Sequence, residues 1–373
     1  MLRNYLNKNH NYRVKNFTVR PRAIIDDNFG TFYGEAFGSN GWRLCTTVGK
    51  DSIAELDYFT TLSNEQFQWS YGCGGGSYTS CGGVGSTTDF VNDSIQTIFS
   101  MLFGSYFGDW DSQDNFMRSA LASGTALTCS WAGRPHWHYH HMALGENIGY
   151  SAYITQNNTS TYVYNYAARY IHIALMGDPT LRMHIVAPPS NLVAAASGLN
   201  NVTLTWTASA DSVLGYYVYR ADSNGVYQRI TPSIINVTNY LDTSPAIFNN
   251  RYMVRAIKLE ESVSGTYYNL STGIADSVLL ANGLNENNVQ AHLIKLFPNP
   301  SKDFIELKFS ETNSNNAEAI IYNMHGQPLK YLTFNLSRGM HYKVNIDDLV
   351  SGIYVIRINI ENVSEFLKIV IEK

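Results

Sequence analysis

Four of the ten histidines fall within six residues: His136, His138, His140 and His141, in the run RPHWHYHH. Imidazole titrates near neutral pH, so such a cluster could supply a general base or ligands for zinc or copper. No acid or cysteine stands among them to complete a ligand set, and no HExxH order is present; packing with exposed tips is the plainer reading. Cys73 and Cys81 lie in the glycine-rich run 72–85 (GCGGGSYTSCGGVG). A thiolate there would be a nucleophile, whereas the spacing is too wide for a zinc knuckle. The run has neither the Lys-Ser/Thr of a phosphate loop nor a dinucleotide fingerprint. Ser105 and Asp109 share the loop SYFGDW; a serine hydroxyl attacks only when a base takes its proton. Tyr106, Trp110, Trp131 and Trp137 surround these groups with aromatic faces suited to a peptide or glycan. Adjacent Asp26 and Asp27 could face a cation, but a solvated turn with Asx hydrogen bonds accounts for them more simply.

Chemistry needs these side chains brought together. Residues 94–146 contain two apolar strands, Thr97–Phe103 and 125–130, with the helix-friendly segment Phe116–Ala122 between them. A strand, helix and strand of this length predict a βαβ unit with parallel, neighbouring strands. Ligands bind at the carboxyl ends of such strands, here 105–111 and 131–141. Earlier strands are expected at 18–26 and 67–71. Pro135 is expected to end an extended segment. Helices are expected at 141–153 and 161–175, and a last short strand at 181–186. The glycines of 72–85 either border this site or only permit a flexible surface loop.

This half of the chain resembles the gingipain-type cysteine peptidases, which have a caspase-like fold. In that family a strand ends in Cys-x-x-Gly-Asp-aromatic, matched here by Ser105, Tyr106, Phe107, Gly108, Asp109 and Trp110. The catalytic His of the family sits one strand earlier in a Gly-His-Gly turn, matched by Gly72, Cys73 and Gly74. A third match runs Met176-Gly177-Asp178-Pro179-Thr180-Leu181. The resemblance covers about 20–186 and implies a peptidase-like site at Cys73, Ser105 and Asp109. It also implies a pocket lined by Tyr106, Trp110, Trp131, His136 and His138. Ser105 replaces the nucleophilic Cys and Cys73 replaces the His.

Composition sets the class. The chain has 373 residues, 45% hydrophobic and 15% charged, with 26 Tyr, which suits a folded, β-rich, extracellular protein of two or three domains. A formal net charge of −4 offers nothing to nucleic acid or to an anionic membrane. No apolar run is long enough to span a bilayer. The polar start MLRNYLNKNHNYRVKNF lacks an apolar core and is not a signal peptide. The expectation is an N-terminally truncated precursor. A disulfide suits a secreted context, but the sequence does not pair the four cysteines.

After Ala187-Pro188-Pro189 the chain alternates apolar and polar residues in short runs: VTLTW at 202–206, GYYVYR at 215–220 and RYMVRA at 251–256. It resembles a fibronectin type III domain there, with Trp206 in the core. A polar linker follows at 282–288. Then LFPNPS at 296–301, IIYNMHGQ at 320–327, IDDL at 346–349, SGIYV at 351–355 and KIVI at 368–371 appear in order. This resembles the C-terminal sorting domain of type IX (Por) secretion, which implies export by that machinery. The expected architecture is a multidomain chain: a partial caspase-like α/β domain at 1–187, N-terminally incomplete, then two β-sandwich domains at 190–281 and 289–373. The expected function is a secreted or outer-membrane-surface, peptidase-like protein without catalytic activity. It would bind a peptide or glycan or act structurally, with no metal and no cofactor. The alternative is an active cysteine-type endopeptidase with a rearranged site: Cys73 or Cys129 as nucleophile, His136 or His138 as base, Asp109 orienting.

Overall fold

The computed structural model describes residues 2–32, 35–134, 136–157, 173–197, 201–222, 224–246, 248–280, 294–310, 315–336, 340–360 and 363–373. The N-terminal part is built on six strands: β1 (Ala23–Asp27), β2 (Ile53–Glu55), β3 (Phe67–Cys73), β4 (Thr97–Phe103), β5 (Thr128–Trp131) and β6 (Ala174–Gly177). They form one sheet in the order 2-1-3-4-5-6. Strands β1 to β5 are parallel, and β6 runs antiparallel to β5.

Every residue of β3 (FQWSYGC) and β4 (TIFSMLF) is buried. A parallel strand covered on both faces reads as a continuous apolar run for this reason. Successive side chains enter opposite layers: Met101 lies in one core cluster with Trp69, Tyr71 and Phe99, and Leu102 in the other. The strand serines are not orphaned. Ser70 Oγ donates to Tyr58 Oη at 3.2 Å, and Tyr58 and Ser100 share a hydroxyl bond of 2.7 Å.

Among the described residues seven helices accompany the sheet: α1 (Leu2–Arg13), α2 (Ser39–Trp42), α3 (Cys45–Val48), α4 (Tyr58–Leu62), α5 (Thr87–Asn92), α6 (Phe116–Ala122) and α7 (Ile148–Gln156). The expected βαβ unit is present as β4-α6-β5, parallel and adjacent. Helix α1 is tied across the sheet edge by Tyr5 Oη to Leu127 O (2.9 Å) and Tyr12 Oη to Arg182 O (2.9 Å).

Several expected boundaries move. Strand β1 starts at Ala23 rather than Thr18, because Pro21 lacks the N–H a ladder needs. β3 runs on to Cys73, past the expected end at Tyr71. The strand expected at 125–130 pairs only from Thr128, since the Thr125 and Leu127 amides donate singly to Ile95 O and Ile98 O. The expected helix 141–153 is two pieces. A 3-10 turn at His140–Leu144 ends on Gly145 (φ 97°), and α7 restarts where Asn147 Oδ1 accepts the Tyr150 N–H. Of the helix expected at 161–175, residues 161–172 lie outside the described residues, and Ala174 and Leu175 belong to β6. No strand forms at 181–186; Arg182 makes one isolated bridge to Asn147, after the Asp178-Pro179 turn. Pro135 also lies outside the described residues.

The next part is a β-sandwich: β7 (Ser190–Ser197), β8 (Asn201–Thr207), β9 (Gly215–Ala221), β10 (Tyr227–Arg229), β11 (Asn239–Asp242), β12 (Phe248–Ser262), β13 (Gly265–Leu270) and β14 (Ile274–Leu280). Sheet β7-β8-β11 faces sheet β10-β9-β12-β13, with β14 pairing the first half of β12. Trp206 is core, packed edge-on to Tyr216. A second sandwich follows: β15 (Ile294–Phe297), β16 (Phe304–Phe309), β17 (Asn316–Asn323), β18 (Pro328–Asn335), β19 (His341–Asn345), β20 (Gly352–Ile360) and β21 (Val363–Ile371). Its sheets are β15-β16-β19 and β18-β17-β20-β21. The linker expected at 282–288 lies outside the described residues. Among the described residues no helix is long and apolar enough to cross a membrane.

Candidate functional site

The strand order reverses between β1 and β3, and in an open parallel sheet the crevice at such a reversal is where ligands bind. Here the crevice lies between Asp27-Asn28 and Cys73-Gly74. The Asn28 N–H donates to Cys73 O (2.9 Å), and Cys73 Sγ donates to Asp27 Oδ1 (3.1 Å). The same oxygen accepts the Phe29 and Gly30 amides, the expected Asx turn. Burial first, and then the Asp27 carboxylate, hold the Cys73 thiol far above its ordinary pKa. It stays protonated and acts as a hydrogen-bond donor, not a nucleophile.

Register fixes the neighbouring position. Cys73 lies opposite Phe103 on β4, and Gly74 N–H donates to Phe103 O at 3.1 Å. Ser105 therefore follows two residues past the partner of Cys73, and it is exposed. The glycine run packs against it rather than waving free. A Cβ on Gly76 would lie 2.3 Å from both Ser105 N and O, and one on Gly74 would lie 2.0 Å from Gly82 O. Two backbones approach closely only where side chains are missing. Tyr106 holds a left-handed backbone (φ 66°), with its ring exposed and tilted on Tyr78 at 5.2 Å. Trp110 and Asp109 are exposed on the same loop. Among the described residues the Asp109 carboxylate has no hydrogen bond. The loop is fastened instead by buried Asn115, which donates to Phe107 O at 3.0 Å and caps α6 through the Arg118 N–H.

On the β5 side, Trp131 is half-buried. Its Nε1 donates to Gly104 O (2.8 Å) and its ring packs on Phe103 at 4.9 Å. Phe103 also packs on Phe37 at 4.5 Å, and the Arg134 guanidinium stands 5.5 Å from the Phe37 ring centre. His136 Nε2 and Ser39 Oγ are 3.3 Å apart. Trp131, Phe103, Phe37, Arg134 and His136 thus share one side of the sheet end.

Each cysteine offered for the rearranged site is a thiol with a raised pKa, turned to another partner. Cys129 is fully buried, with its thiol directed at Ser100 Oγ (3.9 Å) and pushed up to about 12 by burial. Cys81 is likewise pushed up to about 12, and its thiol points at Phe103 O. His138 faces inward; burial, then Arg43, lowers its pKa to about 4. Trp137, expected as a pocket wall, is entirely core, because its N–H donates to Asn40 Oδ1 (2.8 Å) and its Nε1 to Trp131 O (3.2 Å). Asn40 pins this segment a second time by donating to Tyr139 Oη (3.1 Å). Sequence reasoning missed Asn40, whose signal, an amide in GSNGW, reads equally as a turn. Among the described residues no three His, Cys, Asp or Glu side chains are grouped to hold a metal ion.

Residues 295–372 match the family model of the secretion system C-terminal sorting domain. The chain therefore carries the export signal of type IX secretion and is secreted or displayed at the cell surface. No curated protein matches the chain. Among solved structures, a Fn3-like protein from Clostridium thermocellum is similar at 30% identity, over 25% of this chain and 92% of that one, with a TM-score of 0.20. A two-domain fibronectin type III segment of chicken tenascin is similar at 14% identity, over 48% and 99%, with a TM-score of 0.21.

Proposed function

We propose that the chain is a peptidase-like surface protein without peptidase activity, divided near residues 187 and 289 into an α/β unit, a fibronectin type III spacer and the sorting sandwich. The α/β unit binds a peptide or glycan at its sheet end or serves a structural role. The observation that carries this is the Cys73–Asp27 hydrogen bond: the position where the gingipain-type resemblance requires an imidazole holds a protonated, buried thiol. A base must be free to take a proton, and this group already carries one and has no tendency to ionise. Ser105 at the nucleophile position has no histidine supplied by β3. The peptidase-like half of the reading is supported by position, since Cys73 ends one parallel strand and Ser105 follows its neighbour. Exposed Tyr106 and Trp110 on the loop after β4, and Trp131 and His136 at and after the end of β5, are the binding candidates.

The test is hydrolysis of a broad peptide library by the purified full chain beside Ser105→Ala, Cys73→Ala and Cys129→Ala. No cleavage by folded wild type is expected. Cleavage that vanishes with one variant would name the nucleophile and overturn the reading in favour of an active endopeptidase.

A further inference from the structure

Where the first sandwich meets the α/β unit there is a cavity of about 260 Å³, lined among others by Arg13, Arg182, His184, Arg255, Ser271 and Thr272. Three arginines line one small space. Arg13 is neutralised: it donates to Asp178 Oδ2 at 2.5 Å and to Thr180, and its Nε donates to Asn9. The other two are not. Arg255 spends its Nε on Ser271 O (2.8 Å), and the described residues give its terminal nitrogens no partner. Arg182 has no side-chain partner among the described residues either. Of the carboxylates on this face, Asp178 is taken by Arg13, and Glu260 by Lys258 at 3.1 Å and by Asn269 at 3.4 Å. His184 adds no cation at neutral pH, since burial lowers its pKa and its Nδ1 meets Tyr267 Oη at 3.0 Å.

Two unpaired guanidiniums beside each other repel, and burying one of them without a counter-charge is costly. A planar fork of charged donors is the group that recognises an oxyanion. We infer that this cavity is a binding site for a small oxyanion held between Arg182 and Arg255. At this volume it takes a sulfate, a phosphate or a short carboxylate, not a drug-sized ligand. Arg182 comes from the α/β unit and Arg255 from β12 of the sandwich, so occupancy joins the two.

The experiment is calorimetric titration and thermal melting of the full chain at constant ionic strength, with chloride replaced by inorganic sulfate, by phosphate or by succinate. One of the three binds, and which one distinguishes tetrahedral from carboxylate chemistry. Arg182→Gln and Arg255→Gln each weaken that binding at least about tenfold, as loss of a charged hydrogen bond does. Lys50→Gln, remote and already paired with Asp51, leaves it unchanged. In chloride alone, Arg182→Gln melts no lower than wild type, because it relieves repulsion; in the bound anion it melts lower. That crossover separates a site from a structural role, and exposed Arg182 decides the matter if Arg255→Gln fails to fold. No anion-specific stabilisation over chloride, or unchanged affinity in Arg182→Gln, overturns the inference.

Discussion

A thiol buried against a carboxylate is a different reagent from one at the surface. Cys73, Cys81 and Cys129 are buried and all have raised pKa values, while Cys45 is partly accessible. Iodoacetamide reacts with accessible thiolate. At about pH 8 the native chain should therefore be alkylated at Cys45 and spared at the other three, with all four modified in denaturant; mass spectrometry reads the difference. Early labelling of Cys73 would mean that the Asp27 bond does not hold it. His138 gives a second test. Its folded pKa of about 4 lies below the ordinary 6.5, so the unfolded chain binds the extra proton between those values. Its contribution is present above about pH 6.5 and lost as pH falls toward 4, on the order of 1–3 kcal/mol. Urea melts of wild type and His138→Asn across that range should converge at the acid end. Parallel curves would remove His138 as the cause. Cys73 and Ser105 could be picked out in the sequence because a short pattern marks them. The partnership of Cys73 with Asp27 could not, because forty-six residues separate the two and only strand pairing joins them.

The glycine run after β3 has a function of its own: it lets two loops touch. A Cβ added at Gly75 would have nothing within 4 Å, whereas one at Gly76 would run into the Ser105 backbone. Gly75→Ala should be close to neutral, and Gly76→Ala should cost about 1–3 kcal/mol by chemical denaturation. Equal effects would show a loop whose glycines only confer freedom. Elements whose signals are local were readable in advance. Helix α6 has its N-cap Asn115 and helix-forming run, and β4 has seven consecutive buried residues. What escaped depends on distant partners. β6 exists because it pairs with β5, the stretch at 181–186 lacks a second strand to pair with, and the helix expected at 141–153 breaks at Gly145, where a Cβ would meet Tyr267 at 2.5 Å. Trp137 looked like a pocket wall because nothing local reveals that Asn40, ninety-seven residues earlier, turns it inward.

Cores divide the molecule more plainly than linkers do. The first sandwich is keyed to the α/β unit through Lys15 and Asp211 (2.7 Å), Asn269 Nδ2 to His184 O (3.1 Å) and Ser264 Oγ to Thr46 O (2.6 Å). Its own core cluster even includes Val186. The last sandwich differs: its cluster, from Ile294 to Ile371, is drawn entirely from its own seven strands and the turns between them. A domain with a self-contained core can fold alone. Residues 289–373 expressed alone should give a cooperative β-type melt and, fused to an unrelated folded protein that carries an inner-membrane export signal, in a host with type IX secretion, should carry it to the surface. The complementary chain lacking 295–372, given an added inner-membrane export signal, should fold and remain in the periplasm. Surface delivery of that truncated chain would show that the address lies elsewhere, while a fused tail that folds but is not exported would show that recognition needs the cargo as well.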